Sequence, residues 1–212
     1  MDDKKIFYVH SGIWPSPSPS IVFITGTAYG IAQNCRSVLI VKNGSSEPTE
    51  NIFKSILGVE KPENLEIIRL GNYKTPLSHF NFYFEASKII TGYAKKNNIR
   101  CVITRNNGFL PWIYYLKKRR GIKCFFETHD FFTDLSIRTD LKKNFNTLKK
   151  RWFEKFFLPG LNGIICLTKI QKDIFEKYYP HIPLAIARPA AHVPVNLPIS
   201  EWSIQPVISI RL

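Results

Sequence analysis

Gly163-Ile-Ile-Cys-Leu-Thr-Lys-Ile-Gln171 is the stretch that decides the fold of this chain. Residues 163–167 are small or apolar, which predicts a strand buried on both faces. Thr168 and Gln171 then stand three apart, in the capping-box pattern that satisfies free amides at the start of a helix. A buried strand that leads directly into a capped helix is the repeating unit of α/β proteins with a parallel sheet.

The same pattern extends outward along the chain, where short β-rich runs alternate with segments of helical periodicity. Phe82, Ala86, Ile90 and Tyr93, for example, fall on one face of a helix. Most of the β-rich runs are apolar along their length, as parallel strands are when helices cover both faces of the sheet. The sequence therefore predicts an α/β protein with a doubly wound, mostly parallel sheet. The predicted strands are residues 6–9, 37–41, 65–70, 101–104, 123–127, 163–167 and 184–187.

The composition is that of a globular, intracellular protein. A chain of 212 residues with 44% hydrophobic residues can bury a substantial core without disulfides or metal ions. Its four cysteines lack the CxxC spacing of metal sites, and three of them lie inside predicted strands, so they are expected to be buried thiols. The amino terminus has neither the pattern of a signal peptide nor an apolar segment long enough to span a membrane. We therefore expect a cytoplasmic location.

The net charge of +14 predicts an anionic partner. Nucleic acid, a lipid surface and a phosphorylated substrate all meet this requirement. The run Lys117-Lys-Arg-Arg120 fits nucleic acid, but no RNA- or DNA-binding motif accompanies it, nor do exposed aromatic residues interleaved with it. Nucleic acid is therefore the less favoured partner.

Polar residues gather directly after the predicted strands. In doubly wound sheets ligands bind at the carboxyl ends of the strands, so these positions are candidates for a binding site. Strand ends are also loop starts, where polar residues are ordinary. The candidate positions include His10 and Ser11, Gly71 and Asn72, Arg105 and Asn106, and His129 and Asp130.

The Pro-rich segment of residues 10–20 leads into an apolar helical run. Proline fits the first turn of a helix, and Ser18 or Ser20 can cap it. The start of this helix would then present free amides and the positive end of the helix dipole to an anion such as a diphosphate. A rigid connection without a ligand is the alternative.

His129 and Asp130 bring an imidazole and a carboxylate to the end of a predicted strand. Imidazole can donate a hydrogen bond to a hydroxyl group or to developing phosphate charge, and a neighbouring acid can fix its tautomer. A structural role for the pair is the alternative.

Three stretches resemble the amino-terminal domain of family-4 type glycosyltransferases with the GT-B fold. They are residues 8–32 with the Pro-rich loop, Glu127-Thr-His-Asp130, and Arg151-Trp-Phe-Glu154 ahead of the strand that ends at Thr168. The resemblance covers roughly residues 5–195 and implies a Rossmann-like domain that forms one half of a two-domain enzyme.

The resemblance also implies a chemistry and residue roles. The expected reaction is retaining transfer of a sugar from a nucleotide-sugar donor to a glycan or lipid-linked acceptor, with no metal and no other cofactor. The sequence has no Asp-x-Asp, Walker loop or GxGxxG, so GT-A, kinase and nicotinamide chemistries are not favoured. The implied roles are the donor-phosphate loop for Ser18, Pro19 and Ser20, catalysis for His129 and Asp130, and acceptor binding for His10, Ser11, Asn72, Arg105 and Asn106.

The chain departs from this family in two respects. Ser-Pro-Ser replaces the common Gly-Gly pair, and the donor-binding half is missing from the sequence. A proline-rich linker follows residue 187, so we expect a first domain over residues 1–193, and a linker with the start of a second domain over 194–212. A non-catalytic module that binds a glycan or phosphate is the alternative function.

A basic, aromatic helix is predicted over residues 141–158. Leu141, Phe145, Leu148, Trp152 and Phe156 share one face of this helix, and basic residues occupy other faces. Lys149, Lys150, Arg151 and Trp152 are candidate contacts with anionic lipid, which predicts peripheral attachment at the inner face of the membrane. A core-facing apolar stripe with a solvated basic face is the alternative.

Overall fold

The computed structural model describes residues 4–71, 78–137 and 145–187. Within these ranges seven parallel strands form one sheet in the order β3-β2-β1-β4-β5-β6-β7. The strands are β1 (Lys5–Trp14), β2 (Ser37–Asn43), β3 (Leu65–Leu70), β4 (Ile99–Thr104), β5 (Cys124–Glu127), β6 (Gly163–Cys166) and β7 (Leu184–Ile186). The helices are α1 (Pro19–Ala32), α2 (Thr49–Leu57), α3 (Ser78–Lys95), α4 (Leu110–Arg120), α5 (Phe145–Phe157) and α6 (Lys169–Tyr178).

Helices cover both faces of the sheet. α1 and α2 pack on one face, in a core that takes Tyr8 from β1 and Leu39 from β2. α3 and α4 pack on the other face with Phe175 of α6, in a core that includes Phe7 and Val9 from β1. Each buried side chain of this size contributes about 1.5–3 kcal/mol through removal of apolar surface from water. The prediction of a doubly wound, parallel α/β sheet is confirmed.

The cysteines follow the same burial. Cys101, Cys124 and Cys166 are free thiols buried in β4, β5 and β6, whereas Cys35 is half-buried ahead of β2. Burial raises the pKa of Cys101 and Cys124 to about 12 and that of Cys166 to about 11. These three are the buried thiols expected from the sequence.

The order of the strands reverses between β1 and β4. The chain winds from β1 through β2 to β3, returns through α3 to β4 on the other side of β1, and then winds outward to β7. The connections after β1 and β4 therefore leave the sheet towards opposite faces, and a crevice opens between them. In doubly wound sheets this is the place where ligands bind.

β1 is longer than its sequence pattern predicts. Val9 pairs with Ile40 and Ile13 pairs with Lys42, so β1 advances four residues while β2 advances two. The extra residues form a bulge, which breaks the regular pattern of a strand and conceals its continuation. His10 and Ser11 therefore lie in a bulge inside β1, and their placement in a loop after the strand is corrected.

Gly12 allows this bulge to fold tightly. A Cβ atom at residue 12 would lie 2.6 Å from Cδ1 of Ile21 and 2.8 Å from the ring of His10. A side chain here would displace the imidazole.

Several predicted features lie outside the described residues. They are Asn72, Leu141 and the segment 194–212 with its expected linker and second-domain strand.

Candidate substrate pocket

A pocket of about 280 Å³ lies at the carboxyl ends of the central strands, where the strand order reverses. β1, β4 and β5, or the residues just after them, supply part of its lining, and the start of α1 supplies Ser20. α3 and α5 close it from the side. Its lining is His10, Ser11, Ser20, His79, Tyr83, Arg105, Asn106, Asn107, Gly108, His129, Asp130 and Lys150.

Most of the predicted site residues meet in this pocket. His10, Ser11, Arg105, Asn106, His129 and Asp130 all line it, although they come from three different strand ends. Of the predicted phosphate loop, Ser20 lines the pocket, whereas Ser18 is exposed at the N-cap of α1 and makes no side-chain capping bond. Lys150, predicted as a membrane contact, also lines the pocket, and its ammonium lies 4.7 Å from the centre of the Phe132 ring.

The hydrogen bonds of His10 define its tautomer. The backbone amide of Gly12 donates to Nδ1 at 3.0 Å, so Nδ1 is unprotonated. Burial, with Arg105 nearby, lowers the pKa of His10 to about 4, so the ring is neutral at pH 7 and its proton is on Nε2. Nε2 lies 3.3 Å from Oγ of Ser20, which therefore accepts a hydrogen bond from it.

Arg105 lies buried at the pocket beside a buried carboxyl group. Its Nε is 3.9 Å from Oε1 of Glu127, and its guanidinium stacks on the Phe23 ring at 4.4 Å. Tyr8 donates from its hydroxyl to the same Oε1 at 2.9 Å. Burial raises the pKa of Glu127, although the charge of Arg105 and the bond from Tyr8 both act to lower it. The positive charge is thus held between an aromatic ring and a carboxyl group, with the ion pair at the long distance of 3.9 Å.

Ser11 is fixed by neighbours on two other elements. Its backbone amide donates to Oδ1 of Asn106 at 2.7 Å, and its Oγ accepts from the hydroxyl of Tyr83 at 3.1 Å. The backbone amide of Asn106 in turn donates to Oγ1 of Thr104 at 3.2 Å. The β1 bulge, the loop after β4 and α3 are therefore tied together at this point.

His129 is exposed at the rim, on a loop that α6 holds. Thr168 caps α6 by accepting from the amide of Gln171 at 3.1 Å, as the sequence predicts. The Gln171 side chain accepts from the amide of Leu167 at 2.8 Å and donates to the carbonyl oxygen of His129 at 3.2 Å. The capping box therefore also positions the backbone of the candidate catalytic histidine.

Glu154 links α5 to the pocket from behind. It is completely buried, and its carboxyl group accepts from the side chain of Asn107 at 3.0 Å, the amide of Phe132 at 2.8 Å and the hydroxyl of Thr133 at 3.0 Å. Burial raises the pKa of Glu154 to about 7 despite these bonds. Because Asn107 lines the pocket, its hydrogen bond connects the buried carboxyl group of Glu154 to the pocket lining.

The sequence pattern missed the residues that helices bring to the pocket. His79 and Tyr83 stand one turn apart on α3, and neither lies near a predicted strand end. Burial is the main cause that lowers the pKa of His79, and Lys42 and Lys149 add to it. In the sequence, His79 and Tyr83 are marked only by their position on the predicted helix near Phe82 and Ala86. Helical periodicity does not show where the helix begins relative to the sheet.

The apolar stripe of α5 faces outward. Phe145, Leu148, Trp152 and Phe156 expose 82%, 48%, 56% and 58% of their surfaces, whereas the buried positions of the helix are Thr147 and Glu154. The core-facing alternative is therefore wrong for these four residues, because α5 packs inward through other positions: the buried Thr147 and Glu154, and the half-buried Phe153 and Phe157. We call Phe145, Leu148, Trp152 and Phe156 the α5 stripe.

The exposed aromatic surface continues onto neighbouring helices. Phe80 and Phe84 of α3 are exposed and contact the ring of Trp112 in α4 at 5.3 and 6.1 Å. Tyr115 of α4 is exposed too, with the guanidinium of Arg119 5.7 Å from its ring.

A larger, mainly apolar groove of about 430 Å³ lies between the end of α5 and the end of α6, where Lys155, Pro159, Tyr178 and Pro180 are among its lining residues. None of the predicted site residues lines it.

Two further properties concern the described ranges only. No group of three His, Cys, Asp or Glu side chains in them could hold a metal ion. None of their helices is long and apolar enough to cross a membrane.

No protein-family model matches the sequence, and a comparison with curated proteins gives no match. Solved structures do resemble it. Sucrose-phosphate synthase from Thermosynechococcus elongatus matches 87% of the chain with a TM-score of 0.61 and 11% identity, over 48% of its own length. A UDP-glucosyltransferase from Polygonum tinctorium matches 96% of the chain with a TM-score of 0.57 and 10% identity, over 55% of its length. Phytolacca americana UGT2, solved with UDP-2-fluoro-glucose and pterostilbene, matches 91% with a TM-score of 0.57 and 9% identity, over 55% of its length.

The chain thus spans about half the length of these proteins. At such low identity the likeness defines architecture alone. The chain has the Rossmann-like α/β fold that forms one half of GT-B glycosyltransferases.

Proposed function

We propose that this chain is the amino-terminal, acceptor-side half of a GT-B glycosyltransferase. In this proposal residues 1–193 form the domain, and a donor-binding half completes an enzyme that transfers a sugar from a nucleotide-sugar donor to a glycan or lipid-linked acceptor. The assignment to family-4 type and to retaining transfer rests on the sequence resemblance.

The observation that carries the proposal is the pocket at the reversal of strand order. Six residues that the sequence marks as candidates converge there from three strand ends, and this is the ligand-binding position of doubly wound sheets. The structural neighbours include a protein solved with UDP-2-fluoro-glucose and pterostilbene. The same architecture with a polar pocket therefore supports a sugar-transfer role over a purely structural one.

The pocket divides naturally into two groups of residues. His129 and Asp130 are at the rim, where we place them beside the transferred sugar as the catalytic pair. His10, Ser11, Arg105 and Asn106 lie deeper and are assigned to the acceptor. Ser20, at the start of α1, also lines the pocket, and we assign the loop 18–20 to the donor phosphates.

A direct test measures ligand binding and product formation by the 212-residue chain. We expect weak or undetectable binding of UDP- and GDP-sugars, because one wall of a cleft cannot enclose the leaving diphosphate. Binding of an acceptor sugar is expected in roughly the millimolar range, the level of a partial site. Clear turnover by this chain alone would contradict the two-domain proposal, and absence of binding to any sugar would contradict the acceptor role.

We also propose that the α5 stripe contacts an anionic membrane surface. Exposed Trp and Phe side chains suit the interface between headgroups and acyl chains, and the neighbouring cations Lys149, Arg151 and Lys155 suit anionic headgroups. Such contact favours acceptors that are linked to lipid. It also makes nucleic acid the less favoured anionic partner.

A further inference from the structure

Neighbouring residues already occupy the acceptor atoms of three polar groups in the pocket, so these groups are left to donate hydrogen bonds. Oδ1 of Asn106 accepts from the amide of Ser11, which leaves the Asn106 NH₂ group to donate. Oγ of Ser11 accepts from Tyr83 and leaves the Ser11 proton to donate. Oγ of Ser20 accepts from neutral His10, with the same consequence for its own proton.

Arg105 adds a donor that has no partner. Its side chain is 6% exposed, and Nη1 has neither solvent contact nor a hydrogen-bond partner among the described residues. A buried donor left without a partner costs about 1–3 kcal/mol, so such groups mark a missing ligand or a functional strain. Because Arg105 lines the pocket, its guanidinium places positive charge at the pocket wall.

Positive charges outnumber negative charges around the pocket. Arg105 and Lys150 line it, and Asp130 is the one carboxylate among the described lining residues. Lys42 and Lys149 lie close enough to contribute to the lowered pKa of His79. The buried carboxyl group of Glu127 is 3.9 Å from Arg105 and also accepts from Tyr8, so it offsets the guanidinium incompletely.

We infer that the pocket binds the phosphate group of a substrate, with Arg105 as its principal cationic ligand. Phosphate oxygens accept hydrogen bonds and do not donate them when fully ionised. They therefore match the donors of Ser11, Ser20 and Asn106 beside the Arg105 guanidinium. An uncharged sugar makes less use of the buried positive charge. The inference rests on the proposed function only in calling the ligand a substrate of sugar transfer.

Phosphate can come from a phosphorylated acceptor or from the donor diphosphate. Calorimetry on the full chain, at constant ionic strength, should compare glucose, glucose 6-phosphate, inorganic phosphate and UDP. We expect glucose 6-phosphate to bind about tenfold or more tightly than glucose, the equivalent of one charge-assisted hydrogen bond. Tighter binding of glucose 6-phosphate than of UDP assigns the site to the acceptor, and the reverse order assigns it to the donor; both outcomes support the inference.

Asn106→Asp provides the decisive variant. An aspartate oxygen still accepts from the Ser11 amide, so the loop is kept, but the donor is replaced by a negative charge and phosphate binding should weaken about tenfold or more. Asn51→Asp, at an exposed position of α2 outside the pocket lining, is the matched control. Arg105→Lys keeps the charge opposite Glu127 and removes the planar fork, so it should also weaken phosphate binding.

Binding of glucose 6-phosphate and of UDP that is no tighter than that of glucose would overturn the inference, as would phosphate binding that Asn106→Asp leaves unchanged. A completed enzyme that transfers sugar to an uncharged acceptor, with no phosphate preference in the calorimetry, would reject the phosphate site and keep the proposed function.

Discussion

Glu154 is a single residue with a large expected effect on stability. Its native pKa of about 7 lies above the value of 4.5 for an unperturbed glutamate, because burial disfavours the charged form. The native state therefore binds the proton more tightly than the unfolded state does, and the free energy of unfolding falls as pH rises from about 4.5 to about 7. The loss is up to about 3 kcal/mol, because each tenfold difference in proton affinity between the two states corresponds to about 1.4 kcal/mol.

Replacing Glu154 by Gln should remove this pH dependence. Asn107 can turn its amide to match the new side chain, so the hydrogen bonds are kept without the buried charge. Urea denaturation at pH 5 and pH 8 should show a smaller difference for Glu154→Gln than for the wild type. Glu176→Gln, at an exposed position of α6, serves as the control; identical pH profiles for Glu154→Gln and the wild type would contradict the prediction.

His129 is the residue whose role most needs a functional measurement. Its side chain is at the pocket rim and its backbone is held by Gln171. In a form that carries a donor-binding half, His129→Ala should lower kcat/KM by about 10²-fold or more, the scale of a positioned polar catalytic group. His181→Ala, at another exposed histidine, should leave turnover unchanged. Activity within a few fold of the wild type would make His129 structural.

At the scale of the helix, the Thr168 cap gives a stability prediction. Thr168→Ala removes the acceptor for the Gln171 amide and should lower the free energy of unfolding by about 1 kcal/mol, whereas Thr168→Ser keeps the hydroxyl group and should cost less. Urea titration of the two variants against the wild type measures the difference. Equal losses in both would show that the methyl group, and not the cap, matters.

The α5 stripe gives the prediction for membrane contact. Trp152→Ala with Phe156→Ala should abolish flotation with anionic vesicles. Lys149→Glu with Arg151→Glu should abolish it too, and added salt should weaken flotation of the wild type for the same electrostatic reason. Lys95→Glu with Lys96→Glu makes the same charge change at the end of α3 and should have little effect. Flotation unchanged in both α5 variants would exclude the helix as the contact.

The helices also show where sequence patterns fail. The α5 stripe has ordinary amphipathic spacing, yet its four residues face outward, whereas Thr147 and Glu154 pack inward together with Phe153 and Phe157. Helical periodicity identifies which residues share a face of the helix, but it does not determine whether that face packs against the core or is exposed to solvent. That choice depends on what lies beneath the helix, which here is the polar partner set of Asn107, Phe132 and Thr133 around Glu154.

For the whole molecule, the fold could be predicted because its strands are apolar on both faces and separated by helical segments. Much of the pocket could be predicted because the carboxyl ends of parallel strands share one edge of the sheet, which brings His10, Arg105 and His129 together. Tyr83 could not, since it reaches the pocket from a helix. The β1 bulge could not either, because a bulge leaves no regular period in the sequence.

The cysteines give the whole molecule a practical property. Maleimide dyes react with thiolates, and the buried thiols of Cys101, Cys124 and Cys166 hold their protons far above neutral pH. Cys35 is the more accessible of the four. The folded chain should therefore take up about one dye under native conditions and about four after denaturation, and Cys35→Ser should remove the first. Mass spectrometry can count the labels. This chemistry provides, without engineering, a single fluorescent reporter between α1 and β2, at the edge of the sheet opposite the pocket.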